Sequence, residues 1–273
     1  MRYFMEVAFD GSNYNGWQRQ PDALTVQEVI ETTLTRLYGG TPIAVTGSSR
    51  TDAGVHACAF AVSFAVPAAP AIPQFKLHGA LNAMLPDDIK IVTLHKTNTA
   101  FHARFDAVGK AYTYLINNGE KSPFNRNYTL FVHHKLDVTA MQAAADFLVG
   151  THDFASFAVN NRQYTTTVRT IFTIDIDQFG PLIAITFIGN GFLYKMIRCI
   201  VGSLLMVGYG QCPPESIRDI LAAKSRAAAH NTAPPHGLFL MKVFYQQEEL
   251  DNFSLQTLPF NQPLPPHDVL GNS

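Results

Sequence analysis

The chain has 273 residues, 47% hydrophobic and 15% charged, with 16 Pro, 18 Gly and a formal net charge of −1. These are globular values, which exclude a disordered chain, a collagen and a disulfide-stapled miniprotein. Near-neutral charge argues against a protein that coats nucleic acid indiscriminately, but it leaves room for a local basic cleft.

Residues 3 to 9 form a short apolar run closed by Asp10-Gly11-Ser12-Asn13, a strand followed by turn chemistry. Thr25-Val-Gln-Glu28 is a capping box. It opens a helix whose apolar positions Val26, Val29, Ile30, Leu34 and Leu37 recur at helical spacing until Gly39-Gly40. From Ala57 to Val66 small residues alternate with Phe60, Val62, Phe64 and Val66, a strand whose bulky side faces helices. A weaker helix is expected from Pro73 to Leu85 and a strand from Ile89 to Leu94. The second half repeats the α+β pattern in kind. Ala111–Ile116 reads as a strand, Asp137 caps a helix running to Val149-Gly150, and Val168–Asp175 and Leu182–Ile188 are β-rich runs. A long helix from about Phe192 to Val207, another after Pro213-Pro214 and a strand from Leu238 to Tyr245 complete it. Two α+β units are expected, 1–105 and 106–247. Residues 248–273, acidic and Pro-rich without a period, form a tail that is ordered only if it docks.

Cys58, Cys199 and Cys212 are odd in number and far apart, with no Cys-x-x-Cys, so a reducing compartment is expected instead of a disulfide framework. Residues 1–6 hold no uninterrupted apolar segment, and no stretch reaches the ~18 apolar residues of a membrane span. A soluble, cytoplasmic protein with no membrane partner follows as the expectation. Nothing has zinc-ligand spacing, and the usual nucleotide-binding glycine loops are missing, so neither a metal nor a cofactor is expected. Thr51-Asp52-Ala-Gly54 is only loosely like the aspartic-protease triplet: Ala stands at the hydroxyl position and no second copy exists to share a proton.

Three segments carry candidate chemistry. Gly47-Ser-Ser-Arg50-Thr-Asp52-Ala-Gly54-Val-His56-Ala57 places an Arg, an Asp and a His in a loop between two strands, where sites are built. A carboxylate beside Arg50 is favoured in the ionised form, which suits a nucleophile or cation stabiliser; the bland alternative is an Asx-turn toward Gly54. Lys195 and Arg198 interrupt the apolar run of the long helix, three apart and on one side, with Gly202 leaving space beside the guanidinium. A cation buried there needs an anionic partner, for which Asp52 is the first candidate; the alternative is a snorkelling Arg. Phe101-His-Ala-Arg104-Phe105 and Lys110-Ala-Tyr112-Thr-Tyr114 interleave cations with aromatics, as RNA binding wants, or form an amphipathic strand.

Together these segments resemble the TruA family of tRNA pseudouridine synthases. The likeness runs in order through Asp10-Gly-Ser-x-Tyr14-x-Gly-Trp-Gln-Arg-Gln20, Arg50-Thr-Asp-Ala-Gly-Val-His-Ala57 and Phe101-His-Ala-Arg-Phe105. It continues in Gly150-Thr-His-Asp-Phe154, Gly189-Asn-x-Phe192-Leu-x-x-Met-x-Arg198-x-Ile-Val-Gly202 and Ala233-Pro-Pro-x-Gly-Leu238-x-Leu240. Ser49 stands where the family usually has Gly, Lys110 where it often has Arg, and Gly191 where Ser is common. The resemblance implies two ferredoxin-like or RRM-like halves that share an extended antiparallel sheet, helices on one side and a central cleft. It implies a homodimer that isomerises uridine at positions 38 to 40 of the tRNA anticodon stem-loop, without metal or cofactor. Asp52 matches the essential aspartate, Tyr112 the tyrosine lying on the target base, Arg198 the arginine paired with the carboxylate and Arg50 the arginine that helps extrude the nucleotide. Arg104 and Lys195 would contact the tRNA, and Leu240 would wall the pocket. Two rival classes are a catalytically silent RNA-binding relative, which would lack the carboxylate, and a nucleosidase, which would need a second carboxyl group as acid.

Overall fold

The computed structural model describes residues 1–68, 72–159, 164–256 and 258–259. The first part of the chain gives β1 (Arg2–Phe9), α1 (Val26–Leu37), β2 (Val45–Gly47), β3 (His56–Ala65), α2 (Gln74–Met84) and β4 (Ile89–Lys96). The second gives β5 (Gly109–Asn117), β6 (Leu130–Phe131), α3 (Val138–Asp146), β7 (Gly150–Asp153), β8 (Val168–Phe179), β9 (Leu182–Gly189), α4 (Met196–Gly208), α5 (Ser216–Ala223), β10 (Leu238–Phe244) and α6 (Gln247–Asp251). Local chemistry sets several boundaries. Thr25 Oγ1 accepts the Glu28 N–H at the start of α1, Asp137 accepts the Ala140 N–H at the start of α3, and Gly39 and Gly40 end α1 in left-handed backbone.

One mostly antiparallel sheet runs β4-β1-β3-β10-β5-β9-β8-β7, with β2 paired to β3 and β6 to β5. The last long strand, β10, returns to lie between the two parts of the chain. It is antiparallel to β5 but parallel to β3, so the seam of the sheet departs from the antiparallel pattern expected. Val26, Ile30 and Leu34 of α1, Leu77 of α2, Met141 of α3, Ile200 and Leu204 of α4 and Ile217 of α5 share a core with Phe60, Val62, Phe64, Tyr114, Ile185 and Leu240 of the strands. Five helices therefore cover one face.

The sixth does not. α6 packs Leu250 on the opposite face, in a second cluster with Ala111, Leu115, Ala184, Phe239, Phe244 and Leu258. The first part of the expected tail is thus docked, because β5 is apolar on both sides and its second face needs cover; residues 257 and 260–273 lie outside the described part. Two other boundaries differ from expectation. α3 stops at Asp146, where tight turns at Leu148 and Val149 lead to Gly150 with φ +109°, which opens β7 instead of closing the helix. α4 begins at Met196, because Lys195 has φ +61° and cannot continue a right-handed helix; Phe192–Lys195 form the turn before it. Among the described residues no helix is long and apolar enough to cross a membrane.

Candidate active site

Asp52 sits in the loop between β2 and β3, and the Asp10–Gln20 segment holds that loop from beneath. Trp17, fully buried, stacks on Phe60 at 4.0 Å between ring centroids and donates its backbone N–H to the Thr51 carbonyl at 3.4 Å. Gly16 has φ +84°, and a Cβ there would lie 2.3 Å from the Thr51 oxygen, so only glycine lets the two segments meet. The loop turns on itself through Val55 N–H to the Asp52 carbonyl, 3.2 Å. A backbone bond thus closes the turn, and the Asp52 carboxylate is engaged elsewhere.

Its partner is Arg198, whose Nη1 donates to Asp52 Oδ2; the two side chains keep only 11% and 13% of their surface. Arg198 Nε donates to the Ala233 carbonyl at 2.7 Å, which fixes the guanidinium from a second direction. Gly202 serves this arrangement differently from the expectation that it leaves space for the guanidinium. A Cβ on Gly202 would lie 1.7 Å from the Asn231 carbonyl oxygen, so the glycine admits the backbone that carries Ala233.

Strand β5 supplies the opposite support with three alternate side chains. Lys110 Nζ donates to the Ser48 carbonyl at 2.6 Å, the Tyr112 hydroxyl meets Ser49 Oγ at 2.9 Å, and the Tyr114 hydroxyl donates to the Pro234 carbonyl at 2.9 Å. Period-two alternation puts all three on the same face, so one strand fixes both loops of the site. Burial, with Arg104 nearby, lowers the Lys110 pKa to about 8. Burial raises Tyr112 to about 12; the Ser49 bond opposes that and the Asp52 charge adds to it. Burial also raises Tyr114.

His56, also buried, ties the end of the loop to its surroundings. Its Nδ1 accepts the Gly11 N–H at 3.0 Å, its Nε2 lies 3.0 Å from the Asn127 carbonyl, and its ring stacks on Phe239. Asp10 Oδ1 lies 3.0 Å from the same Nδ1; burial pushes the Asp10 carboxyl up, but its contacts with His56, Ser12 and Tyr128 push it down more strongly and hold it below the ordinary carboxylate range. This histidine is a structural tie to the loop that bears Asp52, and it does not line the cleft.

Asp52 opens into a cleft of about 940 Å³. Arg50, Arg104, Lys110, Arg169, Lys195 and Arg198 line it, and Asp52 is its single carboxylate among the described residues. Arg50 and Arg104 are exposed on the rim, and Tyr112 forms part of the wall with the edge of Phe192 against its ring. Lys195 reaches the same cleft, but from the turn before α4 and not from a shared helical face with Arg198. Leu240, expected in the wall, is instead fully buried in the core beside its β5 partner Tyr112; Leu238, two residues earlier on the same side of β10, reaches the cleft. The sequence marks Lys110 as part of a cation–aromatic segment suited to RNA, and Ser49 and Phe192 only as positions in the family motifs; it does not point to Tyr164 or Arg169, which come from a separate hairpin that carries no local signal. Among the described residues no cluster of three or more His, Cys, Asp or Glu could hold a metal ion.

A carboxylate paired with an arginine in a cationic, aromatic cleft has the chemistry that suits a polyanion with flat bases, a nucleic acid. The family described as tRNA pseudouridine synthase matches residues 5–106 and 144–246. Relatives called tRNA pseudouridine synthase A include those of Chlamydia trachomatis serovar A, 44% identical over 88% of this chain and 91% of that protein, and Thermoanaerobacter sp. strain X514, 42% identical over 88% and 97%. That of Exiguobacterium sibiricum is 41% identical over 91% and 98%. The chain belongs to the tRNA pseudouridine synthase family, and it is an isomerase that makes pseudouridine from uridine in tRNA.

Proposed function

We propose that the uridines converted are those at positions 38 to 40 of the anticodon stem-loop, and that Asp52 is the group that acts on the nucleoside. The observation that carries this reading is the Asp52–Arg198 pair: among the described residues Asp52 is the one carboxylate beside six cations lining the cleft. Isomerisation breaks the C1′–N1 bond, turns the uracil and joins C1′ to C5; the C5 proton leaves, N1 gains a proton, and nothing is added or lost. Asp52 serves as nucleophile toward C1′ or C6, or as base toward C2′, with Arg198 orienting it from one side. The base must first leave its stack, at a cost of a few kcal/mol. Tyr112 under the turned base and Arg50 on the rim offset that cost, while Arg104 and Lys195 hold phosphates. A nucleosidase would want a second carboxyl group as acid for the leaving base, and none lines the cleft among the described residues.

A chain of net charge −1 with one modest cationic cleft gains purchase on a large RNA when two copies share it, so we infer a homodimer holding tRNA across both subunits, in the cytoplasm where tRNA is. The test is to map pseudouridine in tRNA from cells lacking the protein. Loss confined to positions 38–40 supports the reading, and intact modification there overturns it.

A further inference from the structure

The cleft that Arg50 and Arg104 line also carries a feature that the isomerisation step does not use. Tyr194 is 40% exposed although its backbone is pinned on both sides. Its N–H donates to the Tyr164 hydroxyl at 2.7 Å, and its carbonyl accepts the Val159 N–H at 3.1 Å. A pinned backbone that presents a partly exposed ring is suited to serve as a platform. Lys195, next along, has φ +61°, a conformation L residues rarely adopt, and its Nζ stands 5.0 Å from the Tyr194 ring centroid. Strain of this kind at a cleft points to a placement requirement. Beside them, Arg169 lies with Cζ 5.8 Å from the Tyr164 ring. It spends Nη1 on the Thr166 and Val168 carbonyls, and no acceptor among the described residues takes the rest of its guanidinium. All four residues line the cleft that holds Asp52, and Tyr194 is only four residues from Arg198.

We propose that Tyr194 and Lys195, flanked by Arg169, form a second nucleotide subsite that stacks the base adjacent to the extruded uridine and binds its phosphate. The chemistry of this surface is a flat, electron-rich face with cations at its edges, which suits a nucleobase and its phosphate whatever the base identity. Such a subsite gives extrusion a second half: a neighbour that has lost its stacking partner gains another on the protein, so the opened strand does not close again. The inference rests on the proposed function, since it takes the uridine at Asp52 to be the extruded one.

The test uses anticodon stem-loop RNAs with 2-aminopurine placed immediately 5′ or 3′ of the target uridine, bound to Asp52→Ala protein so that no turnover occurs. At one of the two positions the fluorophore should stay quenched by stacking with Tyr194 or with Tyr194→Phe in that background. With Tyr194→Ala it should brighten severalfold, with RNA affinity reduced roughly five- to a hundredfold. In the otherwise wild-type enzyme the same change should raise KM and leave kcat near its original value. Lys195→Gln, which leaves the ring in place, should keep the quench and flatten the salt dependence of binding. Equal fluorescence and affinity for Tyr194→Ala and its parent, at both positions, would overturn the proposal. Failure of the proposed function is read separately: wild-type protein would then leave the target uridine of the same RNA unconverted, whatever the fluorescence shows.

Discussion

Removing either member of the Asp52–Arg198 pair strands the other in a largely enclosed position. Arg198→Met keeps an unbranched apolar stem but removes the cation from Asp52 and the donor from the Ala233 carbonyl. Breaking a fully buried pair in this way costs about 3–5 kcal/mol. The pair here opens onto the cleft and retains about a tenth of its surface, which brings the expected loss to about 2–3 kcal/mol. Asp52→Asn should cost less, because Arg198 keeps the Ala233 carbonyl and can reach water. If the two groups act on each other, the double variant is more stable than the sum of the singles allows, by about 1–2 kcal/mol. Urea unfolding of the four proteins, followed by tryptophan fluorescence from the buried Trp17, measures this. Losses that add to within about 0.5 kcal/mol would mean that the two side chains do not interact in solution, and the account of how Asp52 is held would fall.

Three further outcomes follow from the same geometry. Gly202→Ala ought to stabilise a helix by about 1 kcal/mol on propensity alone, yet its Cβ would overlap the Asn231 carbonyl; a net loss of about 1–3 kcal/mol in urea unfolding is expected, with turnover reduced as Ala233 and Arg198 shift, and a stabilised variant would contradict the packing described. Burial lowers the Lys110 pKa from its ordinary 10.5 to about 8 in the fold, so the unfolded chain binds the extra proton between those values. Relative to Lys110→Met, wild-type stability should therefore rise from about pH 8 to 10.5, by roughly 1–3 kcal/mol, and a flat difference would place Lys110 in water. Binding of tRNA should weaken steeply with added salt, with Arg104→Ala reducing the slope by about 1; an unchanged slope would remove Arg104 from the phosphate contacts.

Much of this site is written locally in the sequence. The capping box at Thr25 and the alternation from Ala57 to Val66 report single elements whose period is visible within a dozen residues, and the Arg50–Ala57 loop stands out because charged residues are unusual between two core strands. What was hidden depends on pairs far apart in the chain. Gly202 could be seen as a small residue in a crowded helix, but only the fold shows that it admits Asn231 backbone and not a guanidinium. Leu240 and Leu238 share a strand face, and the register against Tyr112 decides which of them the cleft reaches. The break at Lys195 was hidden because apolar residues stand on both sides of it, Phe192-Leu193 and Met196-Ile197, and no glycine or proline marks the left-handed residue. Docking of α6 was concealed in the same way: an acidic, Pro-rich composition said little of the single Leu250 that seats it.

The most direct test of the central claim is the pseudouridine yield from tRNA incubated with purified Asp52→Asn protein beside wild type, with tRNA affinity measured on the same samples. The account predicts that Asp52→Asn binds tRNA with affinity close to wild type and forms no pseudouridine, since a loop carboxylate at the cleft floor acts on the nucleoside and not on the phosphates. Normal turnover by a folded, tRNA-binding Asp52→Asn protein would contradict it.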